Sequence, residues 1–199
     1  MITLKELRPL SPSSFFEVQA QVPKISKKKG FKEGTLPDTT GLMGEGKLIS
    51  FALLWSPHAL HFQISSYLPM EEGDLINLFI DTRDLKNSNV ITRFCHHFIL
   101  YLDEETGIEV TRFRGEDRHE LADPLLINIK TEVKRSSYQA EGAFPKEILY
   151  GYDPEECPKI GFSYCFKKKN GERQHFNLSS NFFNLEKYPA LWASLDLQD

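Results

Sequence analysis

Between Leu48 and Leu197, apolar residues return at every second position in short runs separated by turn-forming residues. This spacing fits a β-sandwich or barrel rather than a chain of alternating helices and strands. Ile49 to Trp55 reads as one strand and Ser56-Pro57-His58 as its turn. Leu60, Phe62 and Ile64 then alternate with His61, Gln63 and Ser65, giving a return strand with one buried and one wet face. Leu75 to Ile80 is apolar at nearly every position, as suits a central strand covered on both faces. In the next strand Phe94, His96, Phe98, Leu100 and Leu102 share one parity, and Arg93, Cys95, His97 and Tyr101 the other. Ile108 to Phe113, Leu125 to Val133 and Ser136 to Phe144 continue the series. Pro145 at the head of Lys146-Glu147-Ile148-Leu149-Tyr150, with Gly151 behind it, predicts one short helix near 145–150. Ile160, Phe162, Tyr164 and Phe166 alternate strictly, Asn170-Gly171 favours a tight turn, and Gln174 to Leu178 returns from it. Leu191, Ala193, Leu195 and Leu197 form the last strand, with Trp192 on its opposite face. The expected fold is mainly β: an antiparallel two-sheet sandwich, jelly-roll-like.

Residues 1–46 lack this regularity. Pro9, Pro12, Pro23 and Pro37 interrupt them, and the expectation is an irregular arm with one or two short strands, such as Phe15 to Gln21, on the edge of a sandwich spanning 47–199. The basic run Lys27-Lys28-Lys29-Gly30 reads as a solvated loop, or alternatively as a contact for phosphate or an acidic partner. A length of 199 residues with 40% hydrophobic content suits one globular unit with a real core. A formal net charge of −4 gives no electrostatic reason to expect nucleic acid. Three cysteines, Cys95, Cys157 and Cys165, without a Cys-x-x-Cys spacing, write neither a disulfide framework nor a zinc site, and fit a reducing compartment. The N-terminus lacks the apolar run of a signal peptide, and no stretch of about 18 apolar residues could cross a bilayer. A cytoplasmic location is expected, leaderless export being invisible to this reasoning, with neither nucleic acid nor membrane as partner.

The densest polar cluster beside a core lies between Asp74 and Phe98. Asp81, Arg83 and Asp84 straddle a strand end, and Arg93 and His97 lie on the following strand. An arginine fork could clamp a carboxylate, a phosphate or a pair of sugar hydroxyls. Equally, Arg83 and Arg93 could pair with Asp81 and Asp84 across the hairpin and pin the turn. Strand parity sends His96 and His97 to opposite faces, so they do not form a metal pair: His96 reads as a hydrogen-bonded core histidine and His97 as a ligand contact. Calcium at Asp81 and Asp84 is disfavoured by the neighbouring arginines. No Gly-x-Ser-x-Gly elbow or glycine-rich phosphate loop occurs, so no catalytic residue, cofactor or metal is expected.

Several landmarks in order then form a recognisable series. They are the hairpin Leu48 to Ile64, the Gly73-Asp74 entry into Leu78-Phe79-Ile80-Asp81, the passage Tyr138-Gln139-Ala140-Glu141-Gly142-Ala143-Phe144-Pro145, the Gly161-Phe162 strand, and the closing Trp192 with Leu195. Over residues 47–198 the chain resembles the family-nine carbohydrate-binding modules and their relatives in the DOMON-like sandwich superfamily. The resemblance implies a sandwich in which the acidic strand end and the Glu before an apolar-Pro pair are fold landmarks, and sugar held by aromatic side chains. The only tryptophans are Trp55 and Trp192, both placed within strands.

The leading expectation is a non-catalytic binding module that contacts a glycan or another small polar ligand through Asp81, Arg83, Asp84, Arg93 and His97. The competing one is a protein-interaction or scaffold domain that keeps the fold without a small ligand and contacts a protein partner instead. An enzyme using His97 or Asp81 is the third.

Overall fold

A computed structural model describes residues 18–26, 29–87, 89–179 and 184–199. Residues 15–17 of the expected strand Phe15 to Gln21 and residues 27–28 of the Lys27–Gly30 run lie outside the described residues, while Gln19 to Gln21 fall within a strand. Two sheets face each other. One has the order β1 (Gln19–Pro23), β11 (Ala193–Gln198), β9 (Lys159–Lys167), β4 (Leu75–Asp81), β5 (Cys95–Tyr101), β6 (Thr106–Glu109), and β10 (Arg173–His175) also pairs with β9. The other has the order β2 (Ile49–Ser56), β3 (Ala59–Ser66), β8 (Tyr138–Pro145), β7 (Asn128–Val133). This is the expected two-sheet sandwich, and β4 is central in its sheet, between β5 and β9.

The alternation seen in the sequence builds the core. Phe51, Phe62, Phe98, Phe144, Phe162 and Phe166 are all buried between the sheets, and Phe51 lies 5.0 Å centroid to centroid from Tyr164, bridging the layers. Aromatic contact of this kind adds about 0.5–1.5 kcal/mol to the burial itself. Gln174 ties the layers in a second way. Its side chain accepts from the N–H groups of Leu48 and Ile49 at 2.6 and 2.8 Å and donates to the Ile49 carbonyl and the Tyr164 hydroxyl. Gly142 is required by close packing, because a Cβ there would sit 2.4 Å from Phe62 Cζ and 2.7 Å from the Asn128 carbonyl.

Three details differ from the reading of the sequence. The sandwich is not wholly antiparallel: β1 runs parallel to β11, Gln19 opposite Ser194 through Pro23 opposite Gln198. Strands so far apart in the chain are not tied by a hairpin, so either direction is open to them. The short helix near 145–150 is a single 3₁₀ turn, Lys146–Ile148, with Pro145 just before it and Gly151 at a φ of 77°. Finally, β6 stops at Glu109 instead of running to Phe113. The Thr111 hydroxyl takes the N–H of His97 at 2.8 Å, so a side chain replaces the next backbone rung and residues 110–123 leave the sheet as a loop.

The N-terminal segment reaches both sheets. Beyond β1 at the edge of the larger sheet, Lys24 bridges to Trp55 and Thr35 to Ala52 of β2. Trp55 Nε1 donates to the Gln198 carbonyl at 2.9 Å, which fastens the last strand to the smaller sheet. None of the three cysteines is in a disulfide, and among the described residues no helix is long and apolar enough to cross a membrane.

Candidate ligand cleft and the polar centre beneath it

Register decides which side chains share the outer face of the larger sheet. Phe79 lies opposite His97 on one side and Ser163 on the other, and Asp81 lies opposite Cys95 and Gly161. Asn77, Phe79, Asp81, Cys95, His97 and Ser163 therefore point away from the main core, whereas His96 and Phe98 point toward it. The chain returning to β11 covers part of this outer face: Leu178, Leu185 and Trp192 pack with Phe79, Ile91 and Cys95 in a second apolar cluster. Trp192 follows a 3₁₀ turn, Pro189–Leu191, and precedes β11 rather than lying within it; its Nε1 donates to the Leu185 carbonyl at 2.9 Å and its ring sits 5.6 Å from that of Phe79.

At the margin of this cluster a cleft of about 170 Å³ opens. Its apolar part is formed by Ile91, Phe113 and Trp192, and its polar part by His97, Arg112, Arg114, Glu186 and Lys187. His97 stacks on Phe79 at 4.5 Å between centroids, and its Nε2 lies 3.0 Å from Asn77 Oδ1. Burial, with lesser contributions from Lys167 and Arg112, pushes the His97 imidazole down to about 4. At neutral pH it is therefore an uncharged hydrogen-bonding ring. Cys95 also borders the cleft, but burial and the nearby Asp81 push its thiol up to about 11, so it keeps its proton and is a poor nucleophile.

The five residues expected to touch ligand are dispersed. Asp81 is buried and works within the chain: its carboxylate accepts from the N–H of Arg83 at 3.0 Å and of Leu85 at 2.7 Å, holding the turn after β4. Asp84, in the left-handed region at φ 49°, takes Lys86 Nζ at 2.7 Å and the Ser194 hydroxyl at 2.7 Å. The expected cross-hairpin pairing of the two arginines with Asp81 and Asp84 does not occur. Arg83 reaches instead to Glu156 at 3.2 Å and the Cys157 sulfur, over the ring of Phe94, while exposed Arg93 pairs with Asp117 at 2.5 Å. Of the five, His97 alone lines this cleft.

Below the cleft lies a polar centre of which the sequence reading saw only one member. His96 is a hydrogen-bonded core histidine, as parity suggests, and its partner is Glu109, 3.0 Å from Nδ1. The same oxygen, Oε1, takes His119 Nε2 at 2.9 Å and the Thr111 hydroxyl at 2.6 Å, and Oε2 accepts the N–H of Ala122 at 2.8 Å. Burial opposes charge on Glu109, but the bonds from His119, His96 and Thr111 outweigh it and hold the carboxyl at about 2. Glu109 carried one sequence signal, an acid between Ile108 and Val110 in an apolar strand. His119 carried none, because it lies in a charged loop and only the topology brings it under β5.

No protein-family model matches the chain, and no curated protein matches it. Among solved structures, a family 9 carbohydrate-binding module from Caldicellulosiruptor kristjanssonii in complex with cellotriose superposes with a TM-score of 0.60 at 17% identity, covering 91% of this chain and 94% of that one. The fold is that of a family 9 carbohydrate-binding module. A structure of such a module from the same organism with glucose gives 0.59 at 15% identity over 91% of this chain and 96% of that one. A carbohydrate-binding protein, so described with reserve, from Bacteroides uniformis gives 0.50 at 8% identity over 92% and 99%. The superpositions speak for the shared sandwich, and identities this low leave the ligand to be argued from this chain's own side chains.

Proposed function

We propose that this protein is a non-catalytic binding module that takes a glycan in the cleft on the outer face of the larger sheet. The observation that carries the reading is the composition of that cleft within this fold: a Trp192–Phe113–Ile91 apolar wall meets a rim of neutral His97 with Arg112, Arg114, Glu186 and Lys187. Sugars present apolar ring faces edged by hydroxyls, and a wall of this kind with convergent polar groups is the matching surface. At about 170 Å³ the cleft is small beside the roughly 300–1,000 Å³ of pockets for drug-sized ligands, so it suits one sugar unit of a chain rather than a long groove. Three cations against one carboxylate on the rim add a preference for sugars that carry a carboxylate. Asp81, Asp84, Arg83 and Arg93 hold the adjoining strand ends in place.

Chemical-shift titration with glucose, cellotriose and an oligogalacturonate tests the reading. Amides of 111–114 and 186–192 are expected to shift with at least one of the three, and Arg112→Ala and Phe113→Ala to weaken that response. No saccharide response in the folded wild-type protein overturns it.

A further inference from the structure

The geometry points to a divalent transition-metal site, best matched to Zn²⁺, built from His96 Nδ1, Glu109 Oε1 and His119 Nε2. These three atoms lie within 4.8 Å of one another, and the side chains are 0%, 0% and 2% exposed. The inference stands independently of glycan binding.

Hydrogen-bond bookkeeping motivates it. A neutral imidazole has one N–H and one acceptor nitrogen. His119 nevertheless presents both ring nitrogens to oxygens that can only accept, Glu109 Oε1 at 2.9 Å and the Arg93 carbonyl at 2.6 Å. His96 repeats the arrangement, with Glu109 Oε1 at 3.0 Å and the Tyr150 carbonyl, more distant, at 3.5 Å. Filling all four contacts with protons requires two imidazolium rings stacked 4.3 Å apart in the interior, both on one oxygen that already receives Thr111. Like charges so close and so buried are strongly disfavoured.

A metal ion removes the conflict. Each histidine becomes neutral, gives its lone pair to the ion, and donates its remaining N–H to a backbone carbonyl, the outer arrangement that orients metal-binding histidines elsewhere. Glu109 supplies the anionic oxygen, with its second oxygen held by the Ala122 N–H. Two imidazoles and a carboxylate favour zinc and its first-row neighbours over calcium or magnesium, which prefer oxygen ligands. Ligand atoms held at about 2.0–2.2 Å from zinc in a tetrahedron stand about 3.4 Å apart, so the two oxygen–nitrogen pairs, at 3.0 and 2.9 Å, need to open by only about half an ångström or less. The Thr111 hydroxyl, which accepts the His97 N–H and donates to Glu109, links this centre to the cleft.

The test uses chelator-treated full-length protein. Titration with Zn²⁺ alone is expected to show one ion per chain by elemental analysis after desalting, with a rise in Tm that EDTA reverses. Co²⁺ is expected to give the intense visible bands of a low-symmetry, four- or five-coordinate site. His119→Gln should lose roughly 100-fold or more in affinity, while His175→Gln keeps it. The wild-type protein decides the matter even where His119→Gln does not fold: failure to retain stoichiometric Zn²⁺, or a Co²⁺ spectrum of the hexaaqua ion alone, overturns the site. Unaltered retention by a folded His119→Gln variant overturns it as well.

Discussion

Gln174→Leu tests whether one buried side chain holds the two sheets together. Gln174 is 3% exposed, and its amide serves the Leu48 N–H at 2.6 Å, the Ile49 N–H at 2.8 Å, the Ile49 carbonyl at 3.1 Å and the Tyr164 hydroxyl at 2.9 Å. Leucine has similar bulk and no polar atoms, so the substitution removes partners without leaving a large void. Two backbone donors then lose their acceptor at about 1–3 kcal/mol each, or about 2–6 kcal/mol together. The apolar gain of leucine returns about 1–2 kcal/mol, which puts the net loss near 3 kcal/mol. For a chain of this size that is a fall in Tm of about 6–12 °C. Urea unfolding followed by tryptophan fluorescence, with the slope unchanged and the midpoint lowered, is the companion assay. A loss below about 2 °C would refute the reasoning, since it would mean that the freed N–H groups find other partners and that the aromatic contacts alone join the layers.

Other expectations concern packing, ion pairs and pH. Gly142→Ala forces a Cβ to within 2.4 Å of Phe62 Cζ and is expected to cost about 1–3 kcal/mol or more in thermal unfolding, because the obstructing ring is itself fully buried. Trp192→Ala should lose about 3–5 kcal/mol by opening the outer apolar cluster, whereas Arg83→Ala, whose partner Glu156 has a 69% exposed side chain, should cost less than about 1 kcal/mol. On acidification, burial is the leading reason that His61 and His175 sit below their usual 6.5 in the folded state. The unfolded chain therefore takes up protons first: the stability these two rings contribute is present above about pH 6.5 and is lost as pH falls below it, and His61→Gln should flatten the decline in Tm.

The sandwich was legible because burial on one face leaves a period of two in the sequence, clearest in β3, β5 and β9, while burial on both faces leaves the continuous apolar run that marked β4. The same parity separated His96 from His97, and the structure places one inward with Glu109 and the other outward on Phe79. What escaped depends on contacts between distant parts of the chain. The β1–β11 parallel pair joins residues more than 170 positions apart, as in Gln19 opposite Ser194, and no local pattern encodes it. Arg83 finds Glu156 and Arg93 finds Asp117 rather than the hairpin aspartates, because the N–H groups of Arg83 and Leu85, and Lys86 Nζ, already occupy those carboxylates. His119 joins His96 only because Thr111 ends β6 early and the loop folds back beneath the cleft.

Glycan binding at the cleft is tested most directly by isothermal titration of the wild-type protein and Phe113→Ala with cellotriose and an oligogalacturonate side by side. Saturable one-site binding by the wild type is expected to weaken in the variant, with the acidic sugar preferred and its advantage reduced at high salt. Flat isotherms for both sugars with folded wild-type protein, or binding that Phe113→Ala leaves unchanged, would contradict it.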